Sequence, residues 1–88
     1  MKINPDVVHR NIAGDHVLIP IGGSLTQTDG MYILSEVGAR IWELIENGMD
    51  RDAIIRQLCA EYDAPEQTIA SDTDQFIQDM MERDLLLI

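Results

Sequence analysis

Cysteine, basic residues and long apolar runs are what this chain has least of, and each scarcity removes a class of function. The lone Cys59 cannot form an internal disulfide. The two histidines, His9 and His16, lie far from it in sequence and make a poor metal set with it. Only six Lys and Arg stand against sixteen Asp and Glu, a formal charge of −10. Nucleic acid is a polyanion whose binding recruits Lys and Arg to replace counterions, so repulsion opposes it here. No apolar run approaches the length of a membrane span. The opening MKINPDVV reaches charge and proline at once, unlike the apolar core of a signal peptide, so the expected address is cytoplasmic.

What remains is a small acidic chain with the means to fold. An apolar share of 45% and only three prolines argue against a disordered tail, and 88 residues are expected to form one domain spanning 1–88. Folding at this size buries roughly 60 to 65% of the extended chain's surface, so stability should be modest. The acidity either keeps the domain soluble or complements a basic partner.

Two short β-rich runs, VVHRNIA at 7–13 and VLIPI at 17–21, flank Gly14 and Asp15 and predict a hairpin. Pro20 lacks a ladder donor and belongs near a strand end, at a bulge or on an unpaired edge. GGSLTQTDG, 22–30, reads as a polar connection, and MYIL, 31–34, as a third strand. Ser35 is a natural N-cap for a helix that starts at Glu36, with Val37, Ile41, Leu44 and Ile45 as its buried face. Gly38 costs that helix up to about 1 kcal/mol against alanine, which points to close approach of another backbone. Trp42, one turn on, would anchor it, and Asn47-Gly48 ends it.

Asp50 caps a second helix, 51–62, with Ile54, Ile55, Leu58 and Tyr62 inward and Cys59 beside them as a small core residue. Pro65 suits the first turn of a third helix, 65–83, with Glu66 favoured there by the dipole. Ile69, Thr73, Phe76, Ile77 and Met80 form its apolar side, and LLLI, 85–88, should tuck against the core. The expected fold is α+β and winged-helix-like: a three-stranded antiparallel sheet followed by three helices.

Motifs for chemistry are missing. The glycines at 22 and 23 lack the spacing and the Lys-Ser/Thr of a phosphate loop, and SDTD, 71–74, lacks the spaced ligands and central glycine of a calcium loop. His9 and His16 read as surface or half-buried histidines, and no serine shows a partnering His and Asp. No catalytic residue, metal site or cofactor is expected. A winged-helix DNA reader would need cations and amides on a recognition helix, but Arg51, Arg56 and Gln57 sit among Asp52 and Glu61. A small sheet does have edges, and an exposed edge can take an extended peptide as a further strand.

MYILSEVGARIWELIENG, residues 31–48, resembles the signature of the PqqD-like family. A tyrosine- and leucine-bearing strand meets a capped helix start, then a glycine and a small residue, then Ile-Trp and a glycine-ended turn. The likeness continues with its spacing kept through Ile54, Leu58, Tyr62, Asp72 and Phe76 into LLLI. Two positions depart from the pattern. Ser35 stands where asparagine is common, and Asp84 stands at the helix exit where glycine is usual, a left-handed position that Asp tolerates at a cost.

The resemblance implies a peptide chaperone of ribosomally made, post-translationally modified peptides. Such a domain binds the precursor's leader between the third strand and third helix and presents the core to a modifying enzyme. That enzyme is a radical SAM protein in the quinone-cofactor pathway and a leader peptidase in lasso peptide pathways. Carried onto this chain, the docking strand is Met31, Tyr32, Ile33 and Leu34, and the opposing wall holds Asp72, Gln75, Phe76 and Asp79. Ser35, Gly38 and Trp42 are then architectural, and binding proceeds without turnover. The alternative is a structural or regulatory protein-interaction domain of the same fold with a different partner.

Overall fold

The computed structural model of the chain describes residues 1–21 and 31–88; the connection expected at 22–30 lies outside the described residues. The elements follow as β1 (Lys2–Ile3), β2 (Val7–Ile12), β3 (Asp15–Pro20), β4 (Tyr32–Leu34), α1 (Glu36–Glu46), α2 (Arg51–Glu61), α3 (Glu66–Glu82) and β5 (Leu86–Leu87). Three of the strands form an antiparallel sheet in the order β2-β3-β4, and the three helices follow it, as the α+β reading requires.

The hairpin turns one residue earlier than the sequence suggests. Ile12 pairs with Asp15, so the two-residue loop is Ala13-Gly14, with φ of 54° and 90°. A two-residue turn that matches strand twist needs both central residues left-handed, which Gly14 supplies freely and Ala13 at some cost. Asn11 Oδ1 accepts from the Gly14 amide at 3.1 Å and holds the turn. Pro20 closes β3 opposite Val7, at a strand end.

Strand alternation places Leu18 and Leu34 on the face toward the helices, where both are buried with Ile41, Trp42, Leu44, Ile54, Leu58, Met80 and Leu85 in one core. Helix termini behave as their local chemistry dictates. Ser35 Oγ accepts from the Gly38 amide and Asp50 Oδ1 from the Ala53 amide. Pro65 proves to be the N-cap of α3 rather than its first turn, and Tyr62 the C-cap of α2. At the end of α1, Gly48 (φ 83°) and Met49 donate to the carbonyls of Ile45 and Leu44. The end of α3 repeats the pattern with Asp84 (φ 60°) and Leu85 donating to Met81 and Met80, so Asp84 does occupy the left-handed exit.

Two short strands go beyond the expected three. β1 and β5 pair antiparallel, Lys2 with Leu87 and Ile3 with Leu86, and join the two ends of the described chain. Asn4, buried beside them, donates through Nδ2 to the Asp84 carbonyl at 2.8 Å, while its Oδ1 accepts from the Asp6 amide at 2.9 Å. Its own amide reaches the Leu85 carbonyl at 3.1 Å. A buried amide side chain bonded on both sides fixes this clasp, because leaving either group unpaired is costly.

Candidate functional site

β4 ends the sheet order, so its outer edge has no strand neighbour among the described residues. Its side chains alternate. Leu34 is 7% exposed and belongs to the core, Tyr32 is half-buried, and Ile33, opposite Val17, is 63% exposed on the face turned away from the helices. Met31 is exposed and lies just before the strand. Of the four proposed docking residues, Leu34 therefore offers the edge its backbone rather than its side chain.

The end of α3 reaches β4, and its middle meets the start of α1. Near its C-terminal end the Arg83 guanidinium stands 4.8 Å from the centroid of the Tyr32 ring, within reach of a cation–π attraction. One level up, the Phe76 ring lies against Gly38. A Cβ built on Gly38 would sit 3.0 Å from Phe76 Cε1 and 3.1 Å from Ser35 Oγ. The glycine thus makes room for an aromatic side chain, not for another backbone as its position in the sequence suggests.

Between the start of α1 and α3, just past the end of β4, lies a groove of about 180 Å³ lined by Ser35, Val37, Gly38, Ile41, Asp72 and Phe76. Asp72 and Phe76 of the four proposed wall residues line it. Gln75 and Asp79 are instead bonded to each other, Nε2 to Oδ1 at 3.1 Å, one turn apart on α3. Val37 corrects the expected buried face of α1: it is 37% exposed. It falls on the apolar side of the helical pattern, but in the first turn, where that side opens onto the groove instead of the core. Trp42 is buried in the core, and its Nε1 has no hydrogen-bond partner among the described residues.

The charged side chains nearby are largely occupied with one another. Arg40 forms a two-point bond with Glu61, at 2.8 and 2.6 Å, and reaches Glu43 at 3.3 Å. Hydrogen bonds from Arg40 and then Gln57 hold the Glu61 carboxyl down to about 2, and the Glu61 bond raises Arg40 further above its usual range. Arg51 likewise grips Asp74 with Nε and Nη2 and also meets Asp52; its hydrogen bond lowers the Asp74 carboxyl. These arginines are spent on α1–α2 and α2–α3 ties rather than held out for phosphate. His9 Nε2 and His16 Nδ1 meet at 2.9 Å and His9 Nδ1 lies 3.3 Å from Glu46, a chain that pins the sheet to the end of α1. Among the described residues no cluster of three or more His, Cys, Asp or Glu could hold a metal, and no helix is long and apolar enough to cross a membrane.

Comparison with known proteins places this arrangement. The family described as coenzyme PQQ synthesis protein D (PqqD) matches residues 15–86, which takes in β3, β4 and all three helices and reaches the first residue of β5. The chain belongs to the PqqD family. No curated protein matches it significantly. Among solved structures, this PqqD-family chain is similar to TbiB1 in complex with the TbiA(beta) leader peptide. The two share 34% identity over 98% of this chain and 94% of that one, with a TM-score of 0.83. A lasso peptide synthetase B1 complexed with its leader peptide shares the fold at 15% identity and a TM-score of 0.84, over 99% and 96% of the two chains.

Sequence reasoning did not find Val37 or Ile41 as groove residues. The available signal was the length of the apolar stripe on α1. It begins at Val37, which opens onto the groove, and Ile41 one turn on reaches both the groove and the core.

Proposed function

We propose that this PqqD-family domain binds the leader region of a ribosomally synthesised precursor peptide. The leader adds as a strand to the outer edge of β4, with side chains in the groove against α3, and the domain presents the core peptide to a modifying enzyme. That enzyme is a radical SAM enzyme or a leader peptidase. The domain itself carries out no chemistry. It acts in the cytoplasm as one recognition unit over residues 1–88, through Met31, Tyr32, Ile33 and Leu34 on one side and Asp72, Gln75, Phe76 and Asp79 on the other.

The observation that carries this reading is the β4 edge, without a strand neighbour among the described residues, leading into a groove lined by Gly38, Ile41 and Phe76. Backbone bonds along an edge supply affinity that is indifferent to sequence, while side-chain pockets beside it supply selection. The 34%-identical TbiB1 was solved with a leader peptide, which fits the same use of the fold. Ordering a disordered leader costs entropy, so affinity rests on a few buried apolar side chains plus the main-chain bonds.

Calorimetry with the leader of a precursor peptide tests the reading, using peptides N-methylated at one position at a time. Strand addition uses every second amide, so binding should be lost at alternate positions and kept at those between. A leader that binds with no period-two pattern rules out strand addition, and one that does not bind rules out the function.

A further inference from the structure

Arg83 is the C-cap of α3 and is exposed, and its guanidinium lies over the Tyr32 ring, 4.8 Å from the centroid. The helix dipole favours a cation at this end wherever the side chain points. Here the side chain is drawn onto β4, whose outer edge has no strand neighbour among the described residues. A cation–π contact engages the charge of a guanidinium, while its forked N–H donors suit carboxylates above all.

The surroundings carry the opposite charge. The chain holds a formal −10, and Arg40 and Arg51 are closed on Glu61 and Asp74. Past Leu34, at the far end of the strand, Asp72 lines the groove. The docking face therefore has a cation at its Tyr32 end and a carboxylate at its groove end.

We infer that Arg83 reads an acidic side chain of the bound leader, an Asp or Glu opposite Tyr32 in the added strand. The inference rests on the leader-binding reading and names a side chain that reading leaves open. Tyr32 and Leu34 both turn to the helix side of β4, so a residue opposite Tyr32 turns its side chain there too. Directly opposed residues have Cβ atoms about 4.5 to 5.5 Å apart, which brings a carboxylate to the cation over the ring. A carboxylate at the groove end meets Asp72 instead and is repelled. Attraction at one end and repulsion at the other set the register in which an acidic leader docks.

The test is calorimetry with a precursor leader, each of its Asp and Glu residues changed in turn to Asn or Gln. One such change should weaken binding to the wild type about fivefold and leave binding to Arg83→Met unchanged. Arg83→Glu should weaken the unaltered leader further, and a lysine at the same leader position should restore its binding. Restoration separates recognition from a role at the helix end, because a charge on the peptide cannot serve the dipole of α3. One measurement needs no variant of the chain. The Arg83 Nε–H signal in NMR should shift when the unaltered leader binds, and shift less with the neutralised one.

A leader that binds without any acidic residue overturns the pairing and leaves the leader-binding reading standing. So does a leader whose neutralisation costs the same in wild type and Arg83→Met, or an Arg83 signal indifferent to the leader's charge. Failure of the charge exchange to restore binding overturns it as well. A chain that binds no precursor leader refutes the leader-binding reading and the Arg83 pairing with it.

Discussion

Gly38→Ala sets two effects of known size against each other at the point where strand, helix and groove meet. Alanine is the better helix former by about 1 kcal/mol, so on propensity alone the substitution stabilises α1. The structure opposes it. The added methyl would lie 3.0 Å from Phe76 Cε1 and 3.3 Å from Cδ1, where carbon pairs prefer about 3.5 to 4.0 Å. It would also lie 3.1 Å from Ser35 Oγ, the atom that caps the helix through the Gly38 amide. Overpacking of this kind costs about 1 to 3 kcal/mol, reduced here because Phe76 is only half-buried and its ring can retreat into the groove.

The expected balance is a destabilisation of about 0 to 2 kcal/mol, and a domain of this size loses about 4 to 8 °C in Tm per kcal/mol. Leader affinity should fall by more than stability, since the displaced ring enters the groove that Phe76 walls. A double-mutant cycle with Phe76→Leu isolates the contact: once Phe76→Leu has removed the ring, the alanine should fit, with a coupling of about 0.5 to 2 kcal/mol. Thermal or denaturant melts measure all four forms. If Gly38→Ala raises stability by the full propensity gain in both backgrounds, the close approach of Phe76 does not limit this helix and the reasoning fails.

Leu34→Lys should abolish cooperative folding, because it sets a charge in the core; a cooperative melt near the wild-type midpoint would refute its burial. Ile33→Lys should change stability by only about 0.5 kcal/mol and weaken leader binding; wild-type affinity in calorimetry would remove Ile33 from the contact surface. Asp84→Gly should stabilise the chain by about 0.5 to 1 kcal/mol in a denaturant melt by relieving a left-handed aspartate, and an unchanged midpoint would mean that the Asp84 side chain offsets that strain. The Glu61 carboxyl sits lower in the folded chain than its ordinary value near 4.5. Its bond to Arg40 is therefore stabilising above that pH and fades as pH falls towards about 2. Arg40→Met should flatten the fall of Tm over that window, and identical pH profiles for the two proteins would count against the pair. If Asp72 and Asp79 help recruit a cationic leader or partner, affinity should drop as salt rises, and a flat titration would exclude them.

Much of this protein was decided by short-range chemistry and was therefore legible in its residues. Ser35 and Asp50 cap helices because a side-chain oxygen needs only the amide three residues on, and Gly48 ends α1 because the left-handed exit favours a residue without Cβ. The excess of carboxylates and the 31–48 pattern likewise pointed away from nucleic acid and towards a PqqD-like fold. Other features depend on residues far apart in the chain. The β1–β5 clasp joins two-residue strands from opposite ends, and a two-residue run has no period to read. Gly38 signalled that something approaches closely, yet only the packing of α3 on α1 made that neighbour Phe76. Tertiary packing likewise turned Val37 outward at the groove and left the Thr73 hydroxyl buried, because the facing helix, not the stripe, decides which turns of an apolar face are covered.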